Sequence, residues 1–213
     1  MDQFPDGVWL VELAPLTDEL EIPEAILQAI NLQPDGSRSL AQTVHDYFRQ
    51  KRTLLILDNC EHLGKAAAQW ADSLRETAPG LTLLATSRIP LRARDEQVIQ
   101  VHPLTTPQPN GGSPLTAANL LKYEAVQLFT ARLAQASSGF ALNAKNAEAV
   151  ATICNQLDGI PLALEIAAAR ARVMPLERLA QRLEQRLHWV HTTLSPEESA
   201  AARRQQTLQA LMD

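Results

Sequence analysis

The sequence has no glycine-rich loop closed by a lysine. Eight glycines are spread over 213 residues, and none stands in the spacing whose backbone N–H groups cradle phosphates beside a lysine. Cysteine is scarce too. Cys60 and Cys154 stand alone, without a CxxC or Cys/His cluster, which excludes a disulfide framework and a structural zinc site; both read as small core residues of a reducing compartment. Aromatic residues make up only 4% against 46% hydrophobic, so the core must be built from Leu, Ile, Val and Ala. No apolar run approaches the ~18 residues that span a bilayer. Met1 to Gly7 carries neither a basic region nor an apolar stretch of the signal-peptide kind. The net charge of −5 excludes a large nucleic-acid footprint, which needs a basic face. The expectation is a soluble cytoplasmic protein with no membrane and no direct nucleic-acid contact.

What is present is an alternation. Val8 to Leu13 follows a Pro-Asp-Gly turn and reads as a strand. Pro23 opens a helix with Ile22, Ile26 and Ile30 on one face, and Leu40, Val44, Tyr47 and Phe48 recur at helical spacing. Thr53 to Leu57 is the next strand. Ala67, Trp70, Ala71 and Leu74 mark a helix broken by Pro79-Gly80, and Leu81 to Thr86 is a third strand, with Val98 to Val101 a weaker fourth. Strands that are apolar throughout, alternating with helices, predict a parallel sheet covered on both faces. After the Pro-, Thr- and Gly-rich stretch from Pro103 to Ala118 the pattern is purely helical. Its stripes are Leu121, Ala125, Leu128 and Phe129; then Val150, Ile153, Cys154 and Leu157; then Leu162 to Val173, apolar on most faces; then Leu176, Leu179, Ala180, Leu183 and Leu187. A small four-helix domain is expected, with a last helix opened by Ser195-Pro196-Glu197-Glu198.

Three positions carry chemistry. Asp58 ends an apolar strand, where a carboxylate can hold Mg²⁺ beside a substrate phosphate, usually through water; it reads equally well as a cap for the helix that follows. Thr86-Ser87-Arg88 ends the third strand at the same sheet edge. Alone, Arg88 reads as a loop arginine in a surface salt bridge; beside Asp58 it reads as a phosphate sensor, because a guanidinium binds bidentately and keeps its charge. Asn59 stands where many ATPases place a water-activating Glu, and Glu61 is the substitute in reach. Gly159-Ile160-Pro161-Leu162 ends one helix and starts another, and by itself reads as a plain turn. Arg170, Arg172, Arg178, Arg182 and Arg186 are interleaved by Glu165, Glu177 and Glu184, a solvated face.

The order of Phe4-Pro5-Asp6-Gly7-Val8-Trp9, Leu54-Leu55-Ile56-Leu57-Asp58-Asn59-Cys60-Glu61-His62-Leu63, Leu84-Ala85-Thr86-Ser87-Arg88 and Gly159-Ile160-Pro161-Leu162-Ala163-Leu164 resembles the STAND-class ATPases. It is most similar to the NB-ARC-type module of bacterial LuxR-type and SARP-type transcriptional regulators. The resemblance implies a fold: an α/β, partial P-loop NTPase sheet of the AAA+/STAND kind that lacks the Walker A strand, followed by an all-α helical lid. It implies roles as well. Asp58 is the Walker B aspartate and metal ligand, Arg88 the sensor arginine, Thr86 a companion in nucleotide binding, Glu61 a catalytic candidate, and Pro161 a contact to the base. The cofactor implied for a full module is ATP or ADP with Mg²⁺. The tail Arg203-Arg204-Gln205-Gln206-Thr207-Leu208 resembles the entry to a winged-helix domain.

Residues 1–106 are therefore expected to form a partial nucleotide-binding domain, 107–118 a linker, 119–190 the helical lid and 191–213 the start of a truncated winged-helix region. In the family's sheet order the missing strand lies between the Thr86 strand and the Val98 strand, so an apolar slot with unpaired edges is expected. The function implied is a fragment of an ATP/ADP-dependent switch that binds nucleotide weakly by itself, without independent hydrolysis, and associates with itself or with other domains of a parent protein. The alternative is a non-catalytic interaction scaffold derived from such a module.

Overall fold

The computed structural model describes residues 3–34, 36–107, 116–136 and 139–193. Two compact units divide the chain at Ile99 and Gln100. The proposed winged-helix entry and the last helix at Ser195 lie outside the described residues.

The first unit is a three-stranded parallel sheet with helices. In chain order it runs β1 (Val8–Glu12), α1 (Ile22–Ala29), α2 (Leu40–Phe48), β2 (Thr53–Asp58), α3 (Gly64–Thr77) and β3 (Leu81–Ala85). The strand order is β1-β2-β3, with Leu10 opposite Ile56 and Ile56 opposite Leu84. The helix boundaries follow from the sequence. Pro23 sits in the first turn of α1, where its missing N–H is not needed. Ser39 and Gln42 form a reciprocal capping box at α2. Before β1, the Arg52 amide donates to Asp6 Oδ2 at 2.8 Å, which ties the Pro-Asp-Gly turn to the start of β2.

Two expectations about this sheet are corrected. No strand forms over Val98 to Val101; Val98, Ile99 and Val101 are 62%, 82% and 82% exposed. An apolar run becomes a strand only where an edge accepts its ladder, and β-propensity records that packing rather than an intrinsic preference. Among the described residues of this unit, the helices cover only one face of the sheet. Ile22, Ile26 and Phe48 from α1 and α2, with Ala67 and Leu74 from α3, bury one face formed by Val11, Leu55, Leu57 and Leu81. The register places Val8, Leu10, Leu54, Ile56, Thr82 and Leu84 on the other face, where Val8, Leu10 and Leu84 are 55%, 53% and 47% exposed. The cause is topological. Both crossovers step the same way along the sheet, and crossovers of one hand taking equal steps put their helices on one face.

The second unit, from Gln100, is helical: α4 (Ala117–Leu120), α5 (Glu124–Ala136), α6 (Ala147–Gln156), α7 (Pro161–Arg170) and α8 (Leu176–Thr193). Its core joins Val126, Phe129, Val150, Ile153, Leu157 and Leu164, with Leu179 and Leu183 from α8. The expected stripes hold for Ala125 and Phe129 and for Val150 to Leu157. Leu121 falls outside α5 and is exposed. The expected apolar helix from Leu162 to Val173 is shorter, ending at Arg170, with Leu162 and Val173 exposed. Arg132 on α5 donates through Nε and Nη2 to Glu165 Oε1 on α7, at 3.1 and 2.8 Å. Among the described residues no helix is long and apolar enough to cross a membrane.

In the first unit α2 is fastened to α3 through His45. Its ring stacks on Trp70 at 5.7 Å. Nδ1 lies 2.7 Å from Thr77 Oγ1 and Nε2 3.1 Å from Ser73 Oγ. Thr77 Oγ1 donates to the Ser73 carbonyl, so it accepts from Nδ1–H, and Nε2 is left to accept from Ser73. Burial lowers the His45 pKa below 6.5; Asp46 opposes this and Arg49 adds to it. A group whose folded pKa is depressed contributes stability above its unfolded pKa and loses it as the pH falls through the folded value. The melting temperature is therefore expected to drop between pH 7.5 and pH 5.5 and the drop to shrink in His45→Gln, read by circular dichroism; an equal drop in both proteins would contradict this role.

Candidate functional site

The carboxyl ends of β2 and β3 are bound together through Thr86. Its backbone N–H donates to the Leu57 carbonyl at 2.9 Å and its carbonyl accepts from the Cys60 amide at 2.9 Å. Its hydroxyl accepts from the Asn59 amide at 3.0 Å and donates to Asp58 Oδ1 in a short hydrogen bond. Asn59 adopts the left-handed conformation, φ 61°, which the short Asn side chain tolerates better than a β-branched one. That turn sends the chain into a one-turn 3₁₀ helix from Cys60 to Leu63, leading into α3.

Glu61 stands on the 3₁₀ turn and meets Arg88: Arg88 Nε donates to Glu61 Oε1 at 2.6 Å. The two side chains differ in exposure, 14% for Glu61 and 61% for Arg88. Burial pushes the Glu61 carboxyl up, but hydrogen bonding to its own backbone N–H and then the Arg88 guanidinium outweigh it and hold the pKa below the ordinary carboxylate value. Beside the pair lies an open cleft of about 720 Å³, whose walls include Glu61, His62, Lys65, Ile89 and Arg92. His62 is held by its Nε2, 3.1 Å from the Leu16 carbonyl. Cys60 lies behind the site, buried, with its thiol donating to the Leu57 carbonyl; burial first, then Glu61 and Asp58, push its pKa up to about 11. This is a structural thiol, not a nucleophile.

Four of the predicted residues, Asp58, Thr86, Glu61 and Arg88, thus meet at one sheet edge. Arg88 forms a surface salt bridge with Glu61, two residues beyond Thr86. Among the described residues no group of three or more His, Cys, Asp or Glu could hold a metal by itself. A bound Mg²⁺ would have Asp58 and Thr86 as its protein partners and would need water and phosphate oxygens for its remaining positions. One carboxylate and one hydroxyl would thus leave most positions of such an ion to ligands from outside the protein.

Pro161 belongs to the second unit, where it opens α7. Ile160, Ala163 and Leu164 are buried, whereas Pro161 and Leu162 are exposed. The turn before it contains a feature that the sequence reading missed. Gly159 has φ +65°, and a Cβ there would overlap the Leu104 carbonyl. The Leu104 amide donates to the Gly159 carbonyl at 3.0 Å. One residue on, the Thr105 hydroxyl accepts from the Glu124 amide at 3.1 Å and the Thr105 amide donates to Glu124 Oε2 at 3.2 Å. Leu104 and Thr105 thus fasten this stretch to both the Gly159 turn and the start of α5. The signal was a glycine placed before Ile-Pro, where a left-handed residue was needed but its neighbour was not legible.

No family model matches the chain. The chain is 35% identical over 211 residues, 99% of its length, to a protein of Mycobacterium tuberculosis named "Putative HTH-type transcriptional regulator", and equally to a protein of the same name in Mycobacterium bovis. It is 36% identical over 179 residues to a protein of Mycobacterium tuberculosis named "Uncharacterized protein", covering 84% of this chain. The chain spans 22% of the length of the first two relatives and 42% of the third.

The Thr86 hydroxyl bridge is testable by itself. Thr86→Val keeps the shape and removes the bridge, leaving the Asn59 amide and Asp58 to water; the loss expected in urea unfolding is about 1 kcal/mol. Thr86→Ser is expected to stay within roughly 0.5 kcal/mol of wild type. Equal stability of the Val variant and wild type would contradict the bridge.

Proposed function

We propose that this chain is part of a nucleotide-dependent switch of a transcriptional regulator, related to the STAND class. Asp58, with Thr86 beside it, forms the metal side of an ATP or ADP site, and Arg88 reads the terminal phosphate. The observation that carries this reading is the convergence of Asp58, Thr86 and Arg88 at the carboxyl ends of adjacent parallel strands, where α/β proteins bind ligands. The regulatory context is supported by the names of the relatives.

The phosphate floor is a separate matter. The chain lacks a glycine-rich loop and its lysine. Parallel sheets are ordinarily covered on both faces, whereas this one leaves Val8, Leu10 and Leu84 open. Both observations support a further strand, loop and helix from polypeptide outside these residues, pairing with the free edge of β3. Metal bound at Asp58 would neutralise phosphate charge; the chain's own residues orient it and read the phosphate. Asn59 has no proton-accepting carboxylate, and Glu61 is held by Arg88, so the site is a sensor with slow hydrolysis or none. The second reading, a non-catalytic scaffold, is favoured by one observation: the same open apolar face is a surface for a partner.

Titration with a fluorescent ADP analogue and Mg²⁺ separates the two. The nucleotide reading expects weak, saturable binding by this chain that falls at least tenfold in Asp58→Ala and in Arg88→Ala. Affinity unchanged by both substitutions, or no saturable binding at all, would favour the scaffold.

A further inference from the structure

We propose that Glu61 is an internal counter-ion that competes with an incoming phosphate for Arg88. This rests on the phosphate-site reading above and concerns the regulation of that same site. The geometry behind it is asymmetric. Glu61 is held on the 3₁₀ turn that follows Asn59 and is mostly buried, whereas Arg88 is mostly exposed and follows the Thr86 anchor by two residues. The guanidinium meets the carboxylate through Nε, 2.6 Å from Glu61 Oε1. The carboxylate is therefore the enclosed member and the arginine the one that solvent or a ligand can reach.

A guanidinium has five N–H donors in a planar fork. The face used by Glu61 is the Nε side, and bidentate binding of a phosphate oxygen pair requires either that side or the terminal nitrogens. A polyanion approaching the strand tips meets the Glu61 charge at the same place as the Arg88 charge. Capture then requires Arg88 to swing away from Glu61, or requires the anion to accept a carboxylate neighbour. Both weaken binding in the resting state and favour ligands with enough negative charge to outcompete one carboxylate. A terminal phosphate beside Asp58-bound metal meets that condition better than a singly charged anion. Glu61 acts through Arg88 and is a positioning residue; it touches no reacting atom.

The test uses the whole chain and tripolyphosphate as the probe. Two readouts are taken on wild type, Glu61→Gln, Arg88→Ala and the double variant. The first is the Arg88 Nε–Hε cross-peak by NMR, which needs no ligand. A resolved, slowly exchanging peak in wild type that is lost in Glu61→Gln is expected, and a peak unchanged by the substitution would overturn the proposal. The second is the tripolyphosphate dissociation constant from shifts of the Thr86 and Ser87 amides. Glu61→Gln is expected to bind roughly three- to tenfold more tightly, the size of a partly exposed charge pair. Arg88→Ala and the double variant are expected to bind equally weakly. Equal affinity of wild type and Glu61→Gln, with loss in Arg88→Ala, would overturn the competition while leaving the phosphate site standing. Absence of binding in every variant would sink the phosphate-site reading and the competition with it, even where the cross-peak reports the ion pair.

Discussion

Four hydrogen bonds pass through Thr86, two from its backbone and two through its hydroxyl. They fix the tip of β3 against the tip of β2 and the turn beyond it. Without them Asp58 and Arg88 would hang from two separately fraying strand ends. With them, a carboxylate and a guanidinium separated by 30 positions in the chain are held on one framework. The left-handed Asn59 then aims the next turn so that Glu61 reaches Arg88. Each later element of the site inherits its position from this junction.

The sheet behind the junction is one-sided for a topological reason. Two crossovers stepping in one direction cover one face with α1, α2 and α3 and leave Val8, Leu10 and Leu84 on the other. Covering that face takes a crossover stepping the opposite way, which these three strands do not contain. The same reversal of direction is where parallel α/β sheets form their ligand crevices. The open face and the strand tips with Asp58 and Thr86 thus belong to the same three strands.

Much of this was legible in the sequence. The three strands and the helices between them follow from apolar runs and from caps such as Ser39 and Pro23. That Asp58 and Thr86 share an edge follows from parallel pairing alone. Other features depend on contacts distant in sequence. Val98 to Val101 has the composition of a strand but pairs with neither edge strand of the sheet. The open face depends on the direction of crossovers, to which hydropathy is blind. The Glu61–Arg88 pair spans 27 positions, and the Leu104 contact that explains Gly159 spans 55. Local patterns identify elements and their ends; they do not identify which surface an element leaves open or which charge a loop will find.

The most direct measurement of the central claim is hydrogen–deuterium exchange with and without saturating Mg²⁺ and ADP. If the strand tips are the metal and phosphate side of a nucleotide site, protection gained on binding will be concentrated in residues 57–63 and 85–88. Protection confined to other segments at saturation, or none at these tips, would contradict the account.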